Sequence, residues 1–254
     1  MLHATVALAA LAGSAPPRQG RACSCIVGSP FRLLTPADGK VAPLNARVRA
    51  EVPAGAGGVV LQRLDGGEVP AAARAFRTGG LVDVIELTPR DPLAPATRYR
   101  VAQIDPARHP ATVVFGSFQT GDAVDKAPPR LEPLGQATGR RVSAPQGSAC
   151  EVEGPWVEID GVRASDAGRP EAQLAFGVWA GDAAGRVDAT KPPTAIVSSY
   201  EGRLFVGRSS LCAMNDFPFP KRGGALWLGV AALDESGNAS PVQRLKVELP
   251  GGAP

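Results

Sequence analysis

Ala46-Arg47-Val48-Arg49-Ala50-Glu51-Val52 alternates without a break. Its apolar residues, Ala46, Val48, Ala50 and Val52, fall on one side of an extended chain, and Arg47, Arg49 and Glu51 fall on the other. Successive side chains of a strand point to opposite faces, so a period of two predicts a half-buried strand with its charges in water. The same grammar continues downstream. Val59–Leu64 runs into Asp65-Gly66-Gly67, a turn signal whose residues tolerate positive φ. Val82–Leu87 is another apolar run, and Thr97–Ile104 and Thr112–Thr120 flank a loop that carries Pro106 and Pro110. The alanine-rich stretch Val69–Arg77 suits a short turn of helix, but no segment of a dozen residues has helical spacing.

Asp122-Ala-Val-Asp-Lys-Ala-Pro128-Pro129-Arg130 is polar, proline-bearing and aperiodic, as a short linker should be. Strand signals resume after it. Trp156–Asp160 ends in Asp160-Gly161, and Leu174, Phe176 and Val178 alternate with Ala175, Gly177 and Trp179. Arg203–Val206 is a short run, Ala225–Leu233 is almost wholly apolar, and Arg244–Leu249 alternates throughout. Many short strands punctuated by turns, without helices, predict an all-β chain of two tandem sandwiches. The boundaries that follow are a leader at 1–22, a first sandwich at 23–122, a linker at 123–135 and a second sandwich at 136–254.

Composition fits that reading. Apolar residues make up 44% of the 254-residue chain and charged residues 20%, the balance of a folded protein. The 30 glycines and 25 prolines are spread along the whole length, where turns between strands would use them. Net charge is +3, and removing residues 1–22 takes away Arg18, Arg21 and no acid, leaving 25 bases against 24 acids. With no basic run interleaved with aromatics, nucleic acid is not an expected partner.

The stretch Ala4–Ala12 is apolar, of signal-peptide length and too short to span a bilayer as a helix. Cleavage after Ala22 fits better than after Ala15, because Pro16 follows the latter. Export to the periplasm, cell surface or medium is therefore the expectation, with no transmembrane helix once the leader is removed. Four cysteines suit an oxidising compartment. Cys150 and Cys212 are expected to pair, closing a loop of about 60 residues worth roughly 4 kcal/mol; two buried thiols are the alternative. After cleavage at Ala22, Cys23 is the first mature residue, the position that bears lipid in bacterial lipoproteins, although Gly20 stands where those carry leucine. Pairing of Cys23 with Cys25 is the other option.

Two motifs name a family. Leu93-Ala-Pro-Ala-Thr-Arg-Tyr99-Arg-Val101 resembles the L-x-P-x-T-x-Y-x-V motif of fibronectin type III and bacterial Ig-like domains. Its tyrosine forms a corner, the ring in the core and the hydroxyl bonded to upstream backbone. With Thr35-Pro36-Ala37-Asp38-Gly39, Leu87-Thr88-Pro89 and Phe118–Asp122, residues 28–122 look like the bacterial Ig-like domains of S-layer and other envelope proteins. Val230–Ser240, with Asp234, Gly237 and Asn238, is similar to the A-x-D-x-x-G-N-x-S turn before the last strand of fibronectin type III-like domains. Asp, Gly and Asn suit a tight connection by side-chain capping or left-handed backbone. The second half has no matching tyrosine motif and departs from the family there.

Reactive residues are scarce. His3 lies in the leader and His109 has no partner histidine; no G-x-S-x-G elbow exists, and Cys23-Ser24-Cys25 lacks zinc spacing. One histidine and Met214 in the mature chain do not suit copper. Asp182 and Asp188 flank Gly185, and Asp234 lies near Asn238, but neither set has EF-hand spacing and both read as solvated turns. No catalytic residue, metal or cofactor is expected. The least routine segment is Leu211–Pro220, where Asn215, Asp216, Phe217 and Phe219 form either a recognition loop or a core-covering loop pinned by Cys212. The resulting expectation is a non-enzymatic exported Ig-like module that contacts an envelope protein or glycan. A glycan- or peptide-binding module is the alternative, and it requires Trp156, Trp179, Tyr200, Phe217 and Phe219 to share one exposed surface.

Overall fold

The computed structural model describes residues 32–53, 55–76, 82–104, 112–142, 154–166, 174–182, 184–207, 217–220 and 223–251. All regular structure among them is extended. In the first half the strands are β1 (Arg32–Thr35), β2 (Val41–Ala42), β3 (Val48–Pro53), β4 (Val59–Arg63), β5 (Glu68–Val69), β6 (Ala71–Phe76), β7 (Val82–Pro89), β8 (Arg98–Ile104) and β9 (Thr112–Thr120). They form two sheets, β1-β3-β7-β6 and β2-β9-β8-β4-β5. Val48, Ala50 and Val52 of β3, Leu61 of β4, Ile85 and Leu87 of β7, Tyr99 and Val101 of β8, and Phe115 and Phe118 of β9 fill the space between them. Each buried Val, Leu or Phe contributes about 1.5–3 kcal/mol over the exposed state.

Tyr99 closes this sandwich. Its ring stacks on Phe118 with centroids 5.5 Å apart, and its hydroxyl accepts a 2.9 Å hydrogen bond from the Ala94 N–H. Gly66 and Gly67 take φ of 112° and 91° in the β4–β5 hairpin, a conformation open to residues without Cβ.

The second half contains β10 (Arg130–Leu131), β11 (Ala137–Val142), β12 (Gly154–Ile159), β13 (Ala164–Ser165), β14 (Ala175–Ala180), β15 (Ala195–Val197), β16 (Leu204–Val206), β17 (Gly224–Leu233) and β18 (Gln243–Leu249). Sheets β11-β12-β16 and β15-β14-β17-β18 enclose a second core, and β10 pairs with β13 at its margin. Val157 and Ile159, Phe176 and Val178, Leu204 and Val206, Leu226, Leu228 and Val230, and Val247 and Leu249 supply that core. The chain is thus two tandem all-β sandwiches of Ig-like or fibronectin type III-like architecture.

Two local expectations give way. Ala71–Phe76 is not helical: β6 pairs antiparallel with β7 over six positions, from Ala71 opposite Pro89 to Phe76 opposite Val84. Six ladder pairings outweigh the modest helical preference of alanine. The charges of β3 are not all in water either. Ala46, Val48, Ala50 and Val52 are buried, as the alternation requires, yet Arg49 on the opposite face is only 1% exposed. The second sandwich covers that face.

Candidate functional site

Polar and apolar side chains of both sandwiches come together where the two meet. The turn Asp234–Asn238, after β17, docks on the start of β3. The Arg47 N–H donates to the Glu235 carbonyl at 2.6 Å, and Arg49 Nη1 donates to the Asp234 carbonyl at 2.9 Å. Arg49 Nε also bonds Glu86 Oε2 at 2.7 Å across the β3–β7 ladder, in which the two residues stand directly opposite. Burial lowers the Arg49 pKa, and the Glu86 carboxylate opposes that shift. Around this pair lies a small apolar cluster shared by both halves: Leu34, Phe76 and Val84 from the first, and Ala175, Ile196 and Leu233 from the second.

The turn's own chemistry explains its shape. Asp234 Oδ1 accepts from the N–H groups of Ser236 and Asn238, both at 2.8 Å, and Oδ2 accepts from Asn238 Nδ2 at 2.8 Å. Gly237 sits at φ 79°, and the Arg47 side chain packs where its Cβ would be. Asn238 Nδ2 also reaches the carbonyls of Asp125 and Ala127, each at 3.3 Å. Asn45 holds the same linker residue from the other side, donating to the Asp125 carbonyl at 2.7 Å and accepting from its N–H at 2.9 Å.

Asp234 corrects the reading of a solvated turn. It is 0% exposed, and burial raises its pKa, with the Asp125 charge adding to the rise and the hydrogen bonds from Asn238 and Ser236 opposing it. Asp125, Asp166 and Asp234 bring carboxylate oxygens within 4.8 Å of one another. Oxygens of this kind are the donors that hard cations take, but calcium requires six to eight of them, and three acids alone do not define a metal site. Asp182 and Asp188 do behave as surface turn residues: Asp182 accepts from the Ala184 and Arg186 N–H groups, and Asp188 pairs with Lys191 at 3.1 Å.

The aromatics singled out for ligand binding do not share a surface. Trp156 and Trp179 are 8% and 6% exposed, and Trp179 Nε1 donates to the Lys191 carbonyl at 2.8 Å. Phe217 lies in the second core, and Phe219 packs against that core with its centroid 5.1 Å from the ring of Phe217. The ring of Phe219 also lies against Gly207, at φ 85°. Both rings thus pack on the second core, Phe217 buried and Phe219 half-buried, as two adjacent apolar rings favour. Only Tyr200 of the five is open to solvent, at 53%. Asn215, Asp216, His109 and all four cysteines lie outside the described residues, as do the Cys150–Cys212 pairing and the lipidation of Cys23.

Sequence reasoning missed the junction. The signal present was apolar or small residues on both faces of β14, where Ala175, Gly177 and Trp179 occupy the side that a half-buried strand gives to water. Nothing local says that Arg49 and Glu86 meet, because they are 37 positions apart.

No family model and no curated protein matches the chain. Among solved structures it is similar to tandem Ig repeats of Dlar, at 12% identity and TM-score 0.31 over 84% of this chain and 94% of that one. It is also similar to fibronectin(III)-like modules of Clostridium thermocellum CbhA, at 11% identity and TM-score 0.25 over 86% and 93%. Domains 5–6 of the S-layer protein SbsC match at 11% identity and TM-score 0.22 over 85% and 98%. At these scores the strand pairing and the tyrosine corner carry the fold assignment.

Proposed function

We propose that the chain is an exported, non-enzymatic structural and interaction module of the cell envelope or its surroundings, in which two sandwiches act as one stiff body. The observation that carries this reading is the buried junction. Arg49 is anchored in the first sandwich by Glu86 and reaches the Asp234 carbonyl of the second, and an apolar cluster shared by both halves surrounds it. Domain contacts inside a chain are usually small and polar, and relative motion is then the default. A buried charge with fixed partners and apolar neighbours has few alternative arrangements, which suits a spacer that holds a set geometry. The turn residues that could serve chemistry are instead engaged in holding backbone: Asp234 caps its turn, and Asn45 and Asn238 clasp the linker.

Residual dipolar couplings from the full chain test the reading. Both halves should fit one alignment tensor, and the fit should separate into two in Arg49→Ala. Independent tensors in the unaltered protein would defeat the stiff-spacer function. Mass spectrometry of the native protein reads its N-terminus, and an intact Met1 would defeat export through a cleaved leader.

A further inference from the structure

The two sandwiches leave a cleft of about 280 Å³ beside the junction, and its walls have two characters. Phe76, Pro192, Pro193, Ile196 and Leu233 supply an apolar floor. Arg47, Arg49 and Arg74 supply guanidinium groups. Arg49 is committed to the junction through Nε and Nη1, and none of its hydrogen bonds among the described residues uses Nη2. Glu86, the one acid lining the cleft among the described residues, is held by Arg49 at 2.7 Å, and Lys191 is paired with Asp188 at 3.1 Å. Arg47 and Arg74 have no carboxylate partner among the described residues. Arg74 stands 4.9 Å over the ring of Phe76, which fixes its guanidinium face and leaves the N–H edges for another acceptor. The cleft therefore carries surplus positive charge over an apolar floor.

We propose that this cleft binds a small organic anion, an oxyanion group on an apolar body of about single-ring size. Guanidinium edges match the two oxygens of a carboxylate or phosphate, with forked donors that a lysine lacks. Small-ligand sites combine an apolar lining with a few placed polar groups and favour domain boundaries, and this cleft has both properties. Its volume, about 280 Å³, suits a body of one ring.

Calorimetric titration of the full chain with benzoate tests the assignment, with benzyl alcohol as the uncharged control and inorganic phosphate as the anion without a body. Benzoate should bind saturably, weaken as salt is added, and bind at least tenfold more weakly to the double variant Arg47→Ala/Arg74→Ala. Both arginines are exposed, so that variant should still unfold in one cooperative transition, lowered by no more than the loss of the Arg74–Phe76 and Arg47–Gly237 contacts; Glu132→Ala, outside the cleft lining, serves as the surface control and should bind as the parent does. Equal binding of benzyl alcohol, equal binding by the double variant, or no saturable binding of benzoate would each overturn the proposal. Phosphate binding as tightly as benzoate would overturn the apolar-body requirement in favour of a free inorganic anion.

Discussion

Arg49 is the residue on which the molecule's two halves turn. Removing one partner of a buried ion pair leaves the other charge without compensation, at a cost of about 3–5 kcal/mol, whereas replacing both by apolar groups is often close to neutral. Arg49→Met should therefore destabilise the chain by that amount in urea denaturation, and Arg49→Met/Glu86→Leu should recover most of the loss. A double variant as damaged as the single would mean that the Asp234 carbonyl, not Glu86, is the partner that counts. Asp234 provides a second test. Its folded-state pKa is raised above that of the unfolded chain, so its contribution is fully present below the ordinary carboxylate value of about 4 and is lost as pH rises through the raised value. Stability measured relative to Asp234→Asn should fall as pH rises above the ordinary carboxylate range, and a rise would contradict the shift. Tyr99→Phe leaves the Ala94 N–H without its acceptor and should cost about 1–3 kcal/mol by the same urea assay.

Strands show how far composition can be trusted. Gly229 on β17 stands where a Cβ would lie 2.5 Å from Val187 Cγ1 and 2.9 Å from Val242 Cγ1. Alanine normally favours a strand over glycine, but here overpacking should dominate, so Gly229→Ala should lose about 1–3 kcal/mol. Gly57 has open space around its Cβ position, and Gly57→Ala should be neutral or gain up to about 1 kcal/mol by restricting the unfolded chain. Parallel thermal melts of the two variants check both signs. Period-two alternation made the sandwiches legible, because Ala46 just before β3, Val48, Ala50 and Val52 on β3, and Phe176 and Val178 on β14 each face a core. It could not reveal what lies on the outer faces. An arginine at position 49 reads as solvated in any one-strand view, and only the approach of Asp234, 185 residues away, makes it buried. The candidate site was illegible for the same reason: it is assembled from elements that no local pattern connects.

At the scale of the whole molecule, two cores share a third, small cluster that neither half completes alone. Unfolding should then be coupled, giving a single calorimetric transition in the parent chain that splits into two when Leu233→Ala weakens the shared cluster. Two separate transitions in the parent would show the cluster to be energetically idle. The linker between the halves has a practical consequence. Asn45 and Asn238 grip its main chain at Asp125, and Ala127 is held as well. An endoprotease must draw several residues into an extended conformation before it cuts, and a clamped backbone yields only after local opening. Trypsin should therefore spare Lys126 in the native protein, despite the exposure of that side chain, and nick it rapidly once Asn45→Ala and Asn238→Ala loosen the clasp.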